Sequence, residues 1–203
     1  MISSTKSLPD GYSQTEEINL AKNKGLAILL NVVGVIVFFL SLVLLGSFLR
    51  WARPELSTNT VTFKLDLLRI VGLLASVTLT MLVHEFIHGF FFWLFNRSRP
   101  VFGLRLMYAY AAAPDWFIPA RQYWIIGLAP LVLIDMIGLL FIFFAPAGWV
   151  PVLVLLVALN TAGSVGDMFI VSRLLRLSPG SLAKDAGDSV SFFEPATAVS
   201  KSA

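Results

Sequence analysis

The residues best suited to chemistry lie in one short segment, MLVHEFIHGF, at positions 81–90. It contains both histidines of the chain, His84 and His88, with Glu85 directly after the first. On a helix, residues four positions apart lie on the same face, so both imidazoles can reach one ion. Imidazole suits zinc, and a catalytic zinc site usually has three protein ligands and a water molecule. The spacing therefore predicts two ligands of one zinc ion, with Glu85 as the general base that takes a proton from water.

The position of Glu85 supports a functional role for this segment. It is the only glutamate within the apolar runs of the chain. A charged side chain near mid-bilayer costs about 2.5–3.5 kcal/mol on insertion scales. The alternative, polar contacts between helices, gains only about 0.6 kcal/mol for each hydrogen bond. Metal chemistry is therefore favoured over helix packing.

A third ligand must be a carboxylate, because the chain has two histidines and no cysteine. The acidic candidates in later apolar runs are Asp135 and Asp167. At 1.5 Å per residue, His88 lies about 10 Å and Asp167 about 9 Å from the predicted cytoplasmic ends of their runs, whereas Asp135 lies about 21 Å from its end. Asp167 is therefore predicted as the third ligand, and an ion pair between Asp167 and Arg173 is the alternative. Asp135 is predicted to be structural or part of a polar path for water.

Small and polar residues precede Asp167 in the segment NTAGSVGD, at positions 160–167. Gly163 and Gly166 permit close helix packing or local unwinding. Asn160 lies two turns before Asp167 on about the same face, where its amide could donate to a substrate carbonyl or to the oxyanion formed on it. Asn160 is therefore predicted to bind substrate, with helix packing as an equal alternative.

The combination of HEFIHG with a later NTAGSVGD resembles the bacterial putative zincin peptidase family of membrane proteins, and is more distantly similar to site-2 proteases. The resemblance covers roughly residues 67–175. It implies a zinc metalloprotease of the bacterial inner or plasma membrane. Site-2 proteases typically have a proline-containing segment that ends in Asp-Gly, whereas Met168 follows Asp167 in this chain.

The resemblance also implies a role for each motif residue. His84, His88 and Asp167 would hold one zinc ion, and Glu85 would be the general base. An Asn ahead of the Asp ligand helps to bind substrate in site-2 proteases, and Asn160 occupies that place here.

The composition and the apolar runs of the chain predict the helices that position these residues. The 203 residues are 57% hydrophobic and 13% charged, and the mean hydropathy is +0.82. These values are typical of an integral membrane protein rather than a soluble domain. The apolar runs that are long enough to cross a bilayer cover approximately Leu26–Leu49, Leu67–Phe95, Tyr123–Ala145 and Val150–Val171. The predicted fold is an all-α polytopic membrane protein with four transmembrane helices.

The basic residues predict the orientation of these helices. The net charge is only +3, and Lys and Arg lie mainly between the apolar runs, which indicates topology signals and no nucleic-acid partner. With the N-terminus inside, eleven of the fourteen basic residues outside the runs are on the cytoplasmic side. The positive-inside rule therefore places both termini in the cytoplasm.

The same patterns divide the chain into segments. Residues 1–24 are predicted to be a poorly ordered cytoplasmic N-tail, residues 25–177 a four-helix metalloprotease-like membrane domain, and residues 178–203 a flexible cytoplasmic C-tail. In the connection between helices 2 and 3, the aromatic and aliphatic residues from Phe102 to Tyr110 predict a short strand or hairpin. Its free edge could hold an extended substrate by β-augmentation, and an interfacial loop anchored by aromatic residues is the alternative.

The predicted function is therefore an intramembrane or membrane-associated zinc metalloprotease. Its substrate would be a membrane-embedded or membrane-proximal protein, cleaved near the cytoplasmic face of the lipid bilayer. Two alternatives are an inactive pseudoprotease that only binds membrane segments and a metal-ion transporter. Glu85 argues against the first, because a pure binder needs no such carboxylate. The second needs a continuous polar path, and the outer half of the helices offers little beyond Asn31 and Asp135.

Overall fold

The computed structural model describes residues 3–58, 66–104 and 108–196. The α-helices within these residues are α1 (Lys24–Ala52), α2 (Glu55–Thr58), α3 (Leu67–Asn96), α4 (Ala120–Phe144), α5 (Val150–Gly163) and α6 (Val165–Leu174). The strands within the same residues are β1 (Tyr12–Asn19), β2 (Val101–Leu104), β3 (Ala109–Ala112), β4 (Ile118–Pro119), β5 (Leu182–Asp185) and β6 (Ser189–Pro195).

Four helical segments in the described part of the chain are long and apolar enough to cross a membrane. They are Lys24–Ala52, Leu67–Asn96, Ala120–Phe144 and Ala147–Leu174. Each one contains a predicted apolar run almost entirely, so the prediction of four long apolar helices is confirmed. In α1 no residue is buried, and Phe39 and Val43 are 61% and 64% exposed. Soluble monomers rarely expose an apolar surface of this kind.

Two small β-sheets accompany the helices, and the four-stranded one is a difference from the predicted fold. One is a four-stranded sheet in the order β1-β6-β5-β4, and the other is the antiparallel pair β2–β3. The second sheet confirms the strand pair predicted between the second and third long helices. Residues 105–107 of the connection between its two strands, including Arg105, lie outside the described part of the chain.

The four-stranded sheet corrects the prediction that both tails are poorly ordered. β1 comes from the N-terminal tail and pairs antiparallel with β6 from the C-terminal tail. The C-terminal tail is rich in Ser, Ala, Gly and Asp, but Val190 and Phe192 alternate along β6 and are buried. Composition missed this sheet because β1 and β6 lie at opposite ends of the sequence. Residues 197–203 of the predicted tail lie outside the described residues.

The described residues form two compact units. The first is drawn from Met1–Leu29, Glu85–Ala129 and Gly166–Ala203. Its main core joins helix residues such as Phe92, Ile126 and Leu174 to sheet residues such as Ile118 and Phe192, all of them buried. The four-stranded sheet thus packs against the ends of α3, α4 and α6.

The second unit is drawn from Leu30–His84 and Pro130–Val165. Its buried residues Ile142, Val150 and Val157 pack against partly buried leucines of α1. Arg53 donates from Nη1 to the carbonyls of Ile142 and Ala145, at 3.1 and 2.6 Å. These hydrogen bonds satisfy carbonyls that the end of α4 leaves without helical donors.

The fourth apolar run is divided at Ser164, between α5 and α6. The Ser164 backbone N–H and Oγ both donate to the carbonyl of Asn160, at 3.0 and 2.9 Å. A Cβ added at Gly163 or Gly166 would meet no described atom within 4 Å. The described residues therefore show no close packing at these two glycines, which flank the boundary between α5 and α6.

Candidate metal centre

His88 is held in the first unit by a main-chain acceptor. Its ring is buried, and Nδ1 lies 2.9 Å from the carbonyl oxygen of Ile126 in α4. In a helix this carbonyl would accept the N–H of the residue four positions later, but that residue is Pro130, which has none. The Ile126 carbonyl can therefore accept the proton on His88 Nδ1. The lone pair of the imidazole then lies on Nε2.

Asp167 faces that nitrogen from the first turn of α6. Its Oδ1 lies 3.4 Å from His88 Nε2. Two ligands of one tetrahedral zinc ion, each about 2.0–2.2 Å from it, lie about 3.4 Å apart. The pair therefore has the spacing of two neighbouring ligands. Arg173, the alternative ion-pair partner that the sequence offered for Asp167, pairs with Glu16 at 2.9 Å.

His84 is held in the second unit by a side chain. Its Nδ1 lies 2.9 Å from Oδ1 of Asn160. The Asn160 amide nitrogen donates to Asp135 Oδ1 at 2.9 Å and, at 3.4 Å, to the carbonyl of Pro130. These two acceptors fix which end of the amide faces the imidazole, so His84 must donate from Nδ1. The sequence placed Asn160 near the motif but did not link it to Asp135.

The three predicted ligands come together in the structure. One possible ligand atom from each of His84, His88 and Asp167 lies within 4.8 Å of the other two. Both histidines are buried, and the Asp167 side chain is 28% exposed. Two imidazoles and one carboxylate form a donor set that suits zinc with an open position. These residues therefore fit a catalytic zinc ion.

Glu85 follows His84 on the same helix. α3 is continuous from Leu67 to Asn96, so the helical spacing assumed for the motif is present. Glu85 is rotated about 100° from His84 around the helix axis, and its side chain is partly exposed. The role of Glu85 as a general base stays a prediction.

A buried Tyr–Asp pair in the first unit was not predicted from the sequence. Tyr123 donates from its hydroxyl to Asp185 Oδ2 at 2.5 Å, and the Gly187 N–H donates to Asp185 Oδ1 at 2.8 Å. Burial raises the pKa of the Asp185 carboxyl, against the lowering effect of these hydrogen bonds and of His88. The sequence signal was the Asp-x-Gly turn, and Gly187 has a φ of +85°. Its meaning depended on β5, which was assigned to a flexible tail.

The hairpin of β2 and β3 lies against α3 directly beside His88. The next residue is Gly89, and a Cβ at this position would collide with the ring of Phe102 in β2. A glycine is therefore required for the hairpin to approach the helix this closely. The contact places a strand next to the candidate metal ligands.

Comparison with known proteins agrees with this geometry. A family described as "Putative zincin peptidase" matches residues 77–182, which is more than half of the chain. The match includes all three ligand candidates, Glu85 and the hairpin. No curated protein and no solved structure matched the chain. From the family match, the chain belongs to the family described as "Putative zincin peptidase", the family that its two motifs resemble.

Proposed function

We propose that the chain is an integral membrane zinc metallopeptidase. In this proposal it cleaves a membrane-embedded or membrane-proximal protein near the cytoplasmic face of a bacterial inner or plasma membrane. The observation that carries the proposal is the meeting of His84, His88 and Asp167, with Glu85 beside them on the helix. Membership of a zincin peptidase family supports peptide hydrolysis at the general level.

The surface of the long helices supports a membrane location. Large apolar side chains along α1, α3 and α4 are exposed, including Ile36 at 61%, Leu74 at 62% and Phe141 at 58%. In water such surfaces would drive aggregation, whereas in a bilayer they are solvated by lipid. The excess of Lys and Arg in the predicted cytoplasmic segments supports an orientation with both termini inside.

The three candidate ligands and their hydrogen-bond partners would have separate roles in holding zinc. His84, His88 and Asp167 would hold zinc, and the hydrogen bonds to Asn160 and to the Ile126 carbonyl would keep both Nε2 lone pairs available. Zinc, when bound, supplies Lewis acidity toward a peptide carbonyl and toward water.

Glu85 carries the proton transfers in this mechanism. Its carboxylate takes a proton from the attacking water while the water oxygen bonds to the peptide carbon. The same carboxyl then gives the proton to the departing nitrogen, so that the C–N bond breaks to an amine and a carboxylic acid. General acid–base catalysis of this kind typically contributes about 10²- to 10⁴-fold.

The β2–β3 hairpin supports a way to present the substrate. Peptide bonds in a helix are shielded, so a membrane segment must be extended before it can be cut. In the described residues β2 pairs with β3 alone, and its side chains Val101, Phe102 and Leu104 are 47%, 53% and 73% exposed. An extended segment could therefore add to β2 by main-chain hydrogen bonding.

The test is to compare membrane proteins of cells that express the wild type, Glu85→Gln or the control Glu17→Gln. Glu17 lies exposed in β1, so its substitution makes the same chemical change away from the centre. New protein N-termini should appear with the wild type and with Glu17→Gln, and disappear with Glu85→Gln, while all three purified proteins retain zinc. Identical N-termini in the three strains would contradict the proposal.

A further inference from the structure

Asp135 is a carboxylate in the apolar helix α4, and two side chains of α5 bind it. Asn160 Nδ2 donates to Oδ1 at 2.9 Å, and Thr161 Oγ1 donates to Oδ2 at 2.7 Å. Asp135 is partly buried and Asn160 is only 4% exposed. A carboxylate in such a helix is costly, so two hydrogen bonds alone explain its presence poorly.

The Asn160 amide connects this carboxylate to the candidate metal centre. Asp135 and the Pro130 carbonyl both accept hydrogen bonds from the amide nitrogen. The amide oxygen is thereby directed to His84 Nδ1, which lies 2.9 Å away. The three residues form a continuous chain from carboxylate to amide to imidazole, with every donor matched to an acceptor.

We propose that Asp135 and Asn160 are positioning residues for His84. The inference rests on the proposed zinc function. Asp135 holds the amide in one orientation, and the amide oxygen holds the His84 proton on Nδ1 and fixes the ring plane. The Nε2 lone pair is then always presented for a metal ion, as in other metal sites whose histidines donate their second N–H to an outer partner.

This role replaces the prediction that Asn160 binds substrate through its amide. Both of its amide protons have acceptors within the protein, in Asp135 and the Pro130 carbonyl. Donation to a substrate carbonyl would require breaking one of these two hydrogen bonds. The hydrogen bonds from His84 through Asn160 to Asp135 thereby give Asp135, which lies on α4 and not on the helix of the histidine, a function in metal binding.

Thr161 offers a matched control. Its hydroxyl donates to the other oxygen of Asp135 at 2.7 Å, and the carbonyl of Val157 at 2.9 Å is the other acceptor within reach of that single proton. Thr161→Val removes a hydrogen bond to Asp135 of similar length but leaves the link between Asn160 and His84 in place. If Asp135 only joins two helices, Thr161→Val and Asn160→Ala should have similar effects on zinc.

The experiment measures zinc affinity by chelator competition, on full-length protein purified without a histidine tag. Asn160→Ala and Asp135→Ala should each lower the affinity about 10- to 100-fold, the usual loss for an outer partner of a ligand. Thr161→Val should stay within about threefold of the wild type. Asp135→Asn should recover most of the loss, because its amide oxygen can still accept from Asn160. With cobalt in place of zinc, the visible spectrum of Asn160→Ala should differ from that of the wild type. The spectrum of Thr161→Val should match the wild type.

Two outcomes separate the proposals. If the wild type binds zinc and Asn160→Ala binds it equally well, or if Thr161→Val loses as much affinity as Asn160→Ala, the positioning role is wrong and the zinc site stands. If His84→Ala binds zinc as tightly as the wild type, the proposed zinc site itself is wrong. Thermal unfolding of each metal-free variant identifies any that fail to fold, and Asp135→Asn then tests the role with the shape of the side chain kept.

Discussion

The two histidines of the motif differ in how the protein orients them. His88 donates to a main-chain carbonyl, that of Ile126, which is available because Pro130 provides no helical N–H. His84 donates to a side chain, Asn160, which a carboxylate holds in turn. His88 and Ile126 both belong to the first unit, whereas His84, Asn160 and Asp135 all belong to the second.

The difference shows two ways of reaching the same chemical result. In both cases the proton is kept on Nδ1, so that the Nε2 lone pair is available. A series of side-chain hydrogen bonds can be broken by one substitution at any of its residues. A main-chain carbonyl cannot be removed, but its helix can be given back the N–H that Pro130 lacks.

Removing either ring should have the largest effect. His84→Ala and His88→Ala should each lower zinc affinity more than about 100-fold, beyond the loss typical of outer partners. The two losses should be similar, because both residues are ligands whatever orients them. Chelator competition on the purified proteins measures this. A variant of either histidine that keeps wild-type affinity would remove that residue from the site.

Replacing the proline should have an intermediate effect confined to His88. Pro130→Ala restores an N–H that competes with the imidazole for the Ile126 carbonyl, so zinc affinity should fall by up to about 10-fold. Stability of the metal-free protein should not fall, because proline inside a helix is costly.

Pro151→Ala is the control for that measurement. Pro151 lies in the first turn of α5, where a helix leaves N–H groups unpaired in any case. Zinc affinity should therefore be unchanged in Pro151→Ala. Equal affinity in Pro130→Ala and the wild type would show that the released carbonyl does not matter to His88.

An ion pair between α6 and β1 should have the smallest effect. Arg173 of α6 pairs with Glu16 of β1 at 2.9 Å, and about a third of each side chain is exposed. Glu16→Gln should lower the free energy of unfolding by less than about 1 kcal/mol, as is typical of exposed pairs. Zinc affinity should match that of the neighbouring control, Glu17→Gln. A clear loss of zinc in Glu16→Gln alone would mean that the sheet sets the position of Asp167.

Sequence reasoning succeeded where the information is local or depends on helix length. The spacing of His84 and His88 needs only one regular helix, and α3 provides it. The choice of Asp167 over Asp135 used the rise per residue and the predicted cytoplasmic ends of the apolar runs, and Asp167 Oδ1 lies 3.4 Å from His88 Nε2. The aromatic and aliphatic residues between the long helices fitted either a strand or hairpin or an interfacial loop, and the structure has the hairpin.

The remaining features depend on contacts between distant parts of the chain. Asn160 lies 76 residues from His84, and Ile126 lies 38 residues from His88. Pro130 leaves the Ile126 carbonyl without a helical donor, but the sequence alone does not show that His88 uses this carbonyl. The four-stranded sheet was missed for the same reason, because β1 and β6 pair across nearly the whole chain.

The central claim is that both histidines and a carboxylate bind one zinc ion. X-ray absorption at the zinc edge tests it directly on wild-type protein purified without a histidine tag. The chain has two histidines and no cysteine, so the number of imidazoles around zinc identifies the ligands without any substitution. We expect two imidazole nitrogens, with oxygen completing the set, all at about 2.0–2.2 Å. Zinc surrounded by oxygen alone, or by a single imidazole, would contradict the account.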